Sequence, residues 1–195
     1  SMLESPRPTR AEATDVANAI LDGTDAVMLS DETTVGAYPI ESVSVLDRIA
    51  KTTERSLGDK SFMDESMTVT LPGTAAAISR AACRLAQDLD AAAIVASTSS
   101  GGTARHVSRF RPPCPIIGLT DRLKTLRQLN LSWGVIPGIV QAFTDTDQMF
   151  QLAGYWAKKT RIAVPGDRLI ITAGVPVGVT GTTNLLKVVE LNGEP

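Results

Sequence analysis

A short apolar run that ends in hydroxyl groups and glycines, and then continues as a helix, constrains the fold of this chain more than any other feature. Residues 94–97 are Ile-Val-Ala-Ser, and the next six are the candidate phosphate ligands Thr98, Ser99, Ser100, Gly101, Gly102 and Thr103. A strand, a glycine-rich turn and a helix in that order direct backbone N–H groups and the positive end of a helix dipole toward one point. The stretch therefore predicts a strand–helix unit with a phosphate-binding loop, although an ordinary connection has a similar composition.

The same alternation continues to the end of the chain and predicts its fold class. Strands are predicted at residues 91–97, 115–120, 134–140, 168–173 and 183–189, with helices between the earlier ones. The short connection before the last strand favours an antiparallel final pair, and Pro137 indicates either an edge strand or the end of a strand. We expect a three-layer α/β domain whose mostly parallel sheet has about five strands, with ligands bound at the carboxyl ends of the strands. The loops at 98–103 and 174–182 are expected to meet there.

The first part of the chain predicts a helix, a strand and a second helix. Thr9 and Glu12 have the spacing of a capping box, and an apolar stripe continues from them to Leu21. Residues 25–30 predict a buried strand, and Pro39 starts another helix. Because residues 57–72 are polar and have no clear periodicity, we predict two domains, residues 1–67 and 68–195.

Composition excludes several classes of function. A net charge of −2 argues against a nucleic-acid partner, and no apolar run is long enough to predict a membrane span. Cys83 and Cys114 lack the spacing of metal ligands and predict reduced thiols in a cytoplasmic protein. His106, the only histidine, could act as a general base, but a surface or helix-packing role is favoured. Glu4 and Glu32 could form an acid–base or Mg²⁺ pair, although helix capping or a contact with Arg10 is favoured.

Motifs along nearly the whole chain resemble those of the pyruvate kinase family, and they occur in the family's order. The motifs of the first part are Met2-Leu3-Glu4-Ser5, Pro6-Arg7-Pro8-Thr9-Arg10-Ala11-Glu12, residues 15–23, Val27-Met28-Leu29-Ser30 and Tyr38-Pro39. Those of the second part are Thr74-Ala75-Ala76-Ala77, residues 100–104, Pro115-Ile116-Ile117 and Gly181-Thr182-Thr183-Asn184. The resemblance implies the last βα elements of a catalytic TIM barrel, followed by the C-terminal regulatory domain.

The resemblance also implies a function. The family transfers a phosphoryl group from phosphoenolpyruvate to ADP in glycolysis with Mg²⁺ and K⁺, and forms cytoplasmic homotetramers. The family's metal and substrate ligands cannot be placed on this sequence, so these residues alone are expected to be inactive. The loop at 98–103 would hold the phosphate of an allosteric effector, a sugar phosphate or AMP. The residues that would close over it are Gly178, Thr180, Gly181 and Thr182. The alternative is a purely structural assembly module without an effector site.

Three departures from the family pattern bear on these expectations. Asp31 stands where the family has glycine, and the family has a few more residues between Ser5 and Pro6. The phosphate loop carries no cation, whereas some relatives have a Lys or Arg in it. By sequence alone, the nearby candidates to bind a second phosphate are Lys158, Lys159 and Arg161.

Overall fold

The computed structural model describes residues 1–57, 72–176, 179 and 181–192. The chain forms two compact units, Ser1–Ser61 and Phe62–Pro195. The domain boundary predicted between residues 67 and 68 lies outside the described residues and stays a prediction. Within the described part of the chain, no helix is both long and apolar enough to span a membrane.

The first unit contains the helices α1 (Arg10–Leu21), α2 (Asp31–Thr34) and α3 (Pro39–Leu57). The predicted capping box is confirmed at the start of α1. The Glu12 N–H donates to Thr9 Oγ1 at 3.3 Å, and the Thr9 N–H donates to Glu12 Oε2 at 2.7 Å. Both bonds satisfy N–H groups that a helix start leaves without partners. The helix α1 packs against α3.

The strand predicted at residues 25–30 is wrong. The described residues of the first unit include no strand, and Met28 is 86% exposed. The apolar run has the pattern of a strand buried on both faces, but a strand forms only where a neighbour accepts and donates its backbone hydrogen bonds. No other segment among residues 1–57 supplies those bonds, so the run connects α1 to α2 without joining a sheet.

The second unit is an α/β domain. Its described helices are α4 (Thr74–Asp88), α5 (Gly102–Arg109), α6 (Leu123–Leu129) and α7 (Thr146–Lys159). Its described strands are β1 (Ala93–Ser97), β2 (Ile116–Thr120), β3 (Val135–Ile139), β4 (Arg168–Gly174) and β5 (Thr183–Glu190). They form one sheet in the order β3-β2-β1-β4-β5, parallel except for the β4–β5 pair. The predicted parallel sheet, the antiparallel final pair and the edge position of Pro137 are all confirmed.

The sheet is covered on both faces, which makes the domain three layers thick. Along β1, Ile94 and Ala96 pack with residues of α4, α5 and α6, whereas Ala93 and Val95 pack with residues of α7. All four of these side chains are 1% exposed or less. A parallel sheet requires cover of this kind, because both of its faces are apolar. The carboxyl ends of β1 and β2 are then the part of the sheet that is left open to a ligand.

Candidate functional site

A cavity of about 170 Å³ lies at the carboxyl edge of the sheet in the second unit. Five of the six residues in the 98–103 loop line it, and Gly101 is the exception. The cavity also reaches the ends of β2 and β4 and the start of β5. The predicted phosphate loop therefore lies on the wall of a cavity at the carboxyl ends of the parallel strands. Ligands of such sheets bind at this edge.

The two glycines of the loop have different roles. Gly101 is the N-cap of α5 with φ of +82°, a left-handed conformation that a residue with a Cβ adopts only under strain. Gly102 is the first residue of α5, and a Cβ on it would lie 3.5 Å from Ser100 Oγ, an ordinary contact. No side chain caps α5, and its first backbone hydrogen bond runs from Arg105 N to Gly101 O at 3.0 Å. The N–H groups at the start of α5 are thus available to an anion.

Side chains outside the cavity fix the carbonyl groups of the loop. Thr125 Oγ1 donates to Ser99 O at 2.8 Å, and Arg105 Nη2 donates to Ser100 O at 3.2 Å. Neither Thr125 nor Arg105 lines the cavity. Both carbonyl oxygens, which would repel an anion, therefore accept hydrogen bonds from side chains that lie outside the cavity.

The second predicted loop joins the first at this edge. Thr103 Oγ1 and Thr183 Oγ1 are 2.7 Å apart, and both residues are 6% exposed. Gly181 and Thr182 line the cavity. Gly178 and Thr180, the other two residues predicted to close over a ligand, lie outside the described residues. The expectation that the two loops meet is confirmed for the described part of the second loop.

The structure adds residues that the sequence argument did not place at the site. His106 lies on the cavity wall, three residues after Thr103 on the same face of α5. Asp121 follows β2, and Phe143 follows β3. The helical spacing could have placed His106 near the loop. Placing Asp121 and Phe143 there requires the strand order, which the sequence does not give.

The cavity has few charged side chains. Among the described lining residues, Asp121 is the one carboxylate, and none is a Lys or Arg. Lys158, Lys159 and Arg161, proposed as cations from the sequence, do not line it. The Lys159 ammonium instead lies 5.1 Å from the centre of the Trp156 ring. Among the described lining residues, the groups suited to an anion are therefore amides, hydroxyls and the His106 imidazole.

The carboxylate of Glu32 in the first unit has backbone partners. Glu32 Oε2 accepts a hydrogen bond from Ser30 N at 3.0 Å. Bonds from the backbone N–H groups of Glu32 and Ser30 hold the pKa of Glu32 below its ordinary value. This agrees with the favoured helix-capping interpretation. In the described residues, no three His, Cys, Asp or Glu side chains lie together as metal ligands would.

The two cysteines are free thiols. Both pack in the part of the core between the sheet and helices α4, α5 and α6. Cys83 is fully buried, and its Sγ lies 3.7 Å from Val107 O. Burial raises the pKa of both thiols, in the case of Cys114 to about 11. At neutral pH both are therefore protonated and weakly nucleophilic.

Comparison with known proteins identifies the family. The family description "Pyruvate kinase, alpha/beta domain" matches residues 76–189, and "Pyruvate kinase, barrel domain" matches residues 1–43. A pyruvate kinase of Clostridium acetobutylicum is 45% identical over 188 residues, which cover 96% of this chain and 40% of that protein. Pyruvate kinase 2 of Synechocystis is 48% identical over 188 residues, or 96% of this chain and 31% of that protein.

A solved structure agrees with these sequence matches. The crystal structure of Cryptosporidium parvum pyruvate kinase has a TM-score of 0.81 and 34% sequence identity. The match covers 97% of this chain and 37% of that one. The chain thus spans less than half the length of these relatives. Since the α/β domain description alone matches more than half of the residues, the chain belongs to the pyruvate kinase family.

Proposed function

We propose that the second unit binds a phosphorylated metabolite in the cavity at the carboxyl edge of its sheet, and that it is the effector-binding part of a pyruvate kinase. The observation that carries the proposal is one cavity beside the uncapped start of α5, which is lined by the 98–103 loop and by Gly181 and Thr182 of the second loop. Backbone N–H groups at a helix start bind phosphate oxygens directly, and the helix dipole favours their charge. Ser100 adds a hydroxyl near the same place, since its Oγ lies 3.5 Å from the Cβ position of Gly102.

The whole protein is proposed to transfer a phosphoryl group from phosphoenolpyruvate to ADP in the cytoplasm, with Mg²⁺ and K⁺. Such a transfer requires cations and hydrogen-bond donors positioned around the reacting anions. The family's ligands for substrate and metal have no counterpart in the motifs found here, and the barrel match covers residues 1–43 only. We therefore propose that these 195 residues do not catalyse the transfer by themselves. Pyruvate formed by the purified chain above a protein-free blank would contradict this.

Isothermal titration with four compounds tests the binding proposal: fructose 1,6-bisphosphate, ribose 5-phosphate, glucose 6-phosphate and AMP. At least one should bind, and Gly101→Val should abolish that binding, because a Cβ at Gly101 would lie 2.7 Å from Arg105 Nη1 and 3.3 Å from the side chains of Leu129 and Thr125. Gly166→Val is the matched control. Gly166 also has positive φ, +95°, but nothing lies within 4 Å of its Cβ position, and it does not line the cavity.

The alternative, an assembly module without an effector site, has its own support. The outer strands β3 and β5 each have a partner on one side only, and an unpaired edge is a template for another chain. Ile136 and Ile139 on β3 are each 40% exposed, and Val188 on β5 is 39% exposed. We propose that these edges contribute to homo-oligomer contacts, a tetramer in the whole protein. Sedimentation of the chain at several concentrations tests the oligomer contacts, and a monomer at every concentration would contradict them. If the four compounds also give no heat of binding, both the effector-binding role and the assembly role are refuted.

A further inference from the structure

The carboxylate of Asp121 is the one negative side chain among the described residues of a cavity that we propose as an anion site. It lies close to the phosphate loop. Thr98 N donates to Leu119 O at 2.9 Å, so the start of the loop runs beside the end of β2, and Asp121 follows that end by one residue. Neighbouring strands are about 5 Å apart. Asp121 and the start of the phosphate loop therefore belong to neighbouring parts of one cavity wall.

The two sides of the cavity have different linings. On the side of β4 and β5, the hydroxyl groups of Thr103 and Thr183 are bonded to each other. Asp121 follows β2 and Phe143 follows β3 on the cavity wall, and Met149 of α7 also lines the cavity. A dry cavity of roughly the same volume, about 150 Å³, holds one benzene ring in another protein. The space here, about 170 Å³, suits one sugar ring.

We propose that Asp121 makes this cavity selective for a sugar monophosphate over a sugar bisphosphate. The inference rests on the proposed function and names the class of effector. The carboxylate accepts hydrogen bonds from sugar hydroxyl groups, and such charge-assisted bonds are about twice as strong as neutral ones. The same carboxylate repels a second phosphate, because like charges brought together at a binding site weaken binding.

Among the described lining residues, no lysine or arginine offsets that repulsion, and His106 is the one basic side chain. No Lys or Arg lines the cavity in the part of the chain that the structure describes, and Val177, Gly178 and Thr180 are uncharged by sequence. Arg122 Nε lies 4.0 Å from Asp121 Oδ1, and the two side chains are 58% and 34% exposed. An exposed pair at that distance is weak, so Asp121 keeps its capacity to accept hydrogen bonds from a ligand.

Fructose 6-phosphate and fructose 1,6-bisphosphate test the proposal, because they differ by one phosphate. Titration calorimetry on the full chain should show the monophosphate binding at least about tenfold more tightly. Asp121→Asn keeps the volume and removes the charge, and it should bring the two affinities to within about threefold. Asp147→Asn is the matched control: it makes the same change in net charge on an exposed residue of α7 that does not line the cavity, and the ratio should stay at the wild-type value.

The outcomes separate this inference from the proposed function. If no phosphorylated sugar binds the wild type, the proposed effector site is wrong and the inference falls with it. If both compounds bind with equal affinity, or if Asp147→Asn changes the ratio as much as Asp121→Asn, the site stands and the role of Asp121 is refuted. Ribose 5-phosphate and AMP then distinguish a free sugar phosphate from a nucleotide as the source of the monoester. A urea transition with the wild-type midpoint verifies that Asp121→Asn is folded.

Discussion

Alanine at each of two neighbouring glycines should change the stability of the second unit in opposite directions. Gly101 has φ of +82°, and left-handed backbone costs a residue with a Cβ about 1–2 kcal/mol. The new Cβ would also lie 2.7 Å from Arg105 Nη1, so the guanidinium must move and its bond to Ser100 O is weakened. A neutral-acceptor bond of that kind contributes about 0.5–1.5 kcal/mol. We expect Gly101→Ala to lower the free energy of unfolding by about 2 kcal/mol, mostly through backbone strain.

Gly102→Ala should have the opposite effect. Gly102 has no positive φ, begins α5, and has only an ordinary contact at 3.5 Å from its Cβ position. Alanine there restricts the unfolded chain and should raise the free energy of unfolding by about 0.5 kcal/mol. Gly166→Ala isolates the strain, because its φ is +95° and nothing lies within 4 Å of the Cβ position. It should lower the free energy of unfolding by about 1 kcal/mol.

Urea unfolding followed by tryptophan fluorescence measures these differences in the second unit alone. Trp133 and Trp156 are the only tryptophans of the chain, and both belong to that unit. The expected order of midpoints is Gly102→Ala, wild type, Gly166→Ala, Gly101→Ala, from highest to lowest. If Gly101→Ala and Gly102→Ala unfold at the same midpoint, the assignment of separate roles to the two glycines is refuted. If Gly101→Ala unfolds no earlier than Gly166→Ala, the contacts of the loop with Arg105 contribute nothing.

Three further outcomes follow from the structure. Thr103→Val leaves the buried Thr183 hydroxyl without its 2.7 Å partner and should lower the free energy of unfolding by about 1–3 kcal/mol in the same urea assay. The double variant with Thr183→Val should lose less stability than the two single variants together. Strict additivity would contradict the pairing of the two hydroxyl groups. Hydrogen bonds to the N-terminal ammonium, to the Ser1 hydroxyl and within the capping box lower the pKa of Glu12 from 4.5 to about 2. Its contribution to the stability of the first unit is therefore fully present above pH 4.5 and is lost as the pH falls through 2, and an NMR titration midpoint of the Glu12 carboxyl above 4 would contradict this. Burial raises the pKa of Cys114 from 9.0 to about 11, so the thiolate fraction of Cys114 at neutral pH falls by about a hundredfold. Alkylation of Cys114 should therefore be much slower in the native chain than in denaturant, and a native rate within tenfold of the denatured rate would contradict the raised pKa.

The second unit could be predicted well from the sequence because its signals are local. The apolar run at 94–97 with the glycines that follow places β1, the loop and α5, and Pro137 places β3 at an edge, since proline cannot donate to a neighbouring strand. The strand predicted at 25–30 failed for the opposite reason. Its apolar pattern depends on neighbouring strands that residues 1–57 do not supply.

The site could be predicted only in part, for a similar reason. The loop at 98–103 carries its glycines and hydroxyl groups in one continuous stretch, so its role follows from sequence order. Asp121 and Phe143 reach the same cavity because β2 and β3 lie beside β1 in the sheet, and strand order is a property of the whole fold. His106 is an intermediate case. Its spacing from Thr103 predicts that both lie on one face of a helix, but the spacing does not predict that this face lines a cavity.

The backbone amide chemical shifts of the chain during titration with fructose 6-phosphate test the central claim most directly. If the uncapped start of α5 binds the phosphate, the largest shift changes occur at the N–H groups of Gly102, Thr103 and Ala104, and they saturate with the affinity that calorimetry gives. Shift changes confined to other parts of the chain, or none with this compound or with any of the four compounds named for calorimetry, would contradict the claim that this edge of the sheet is a phosphate site.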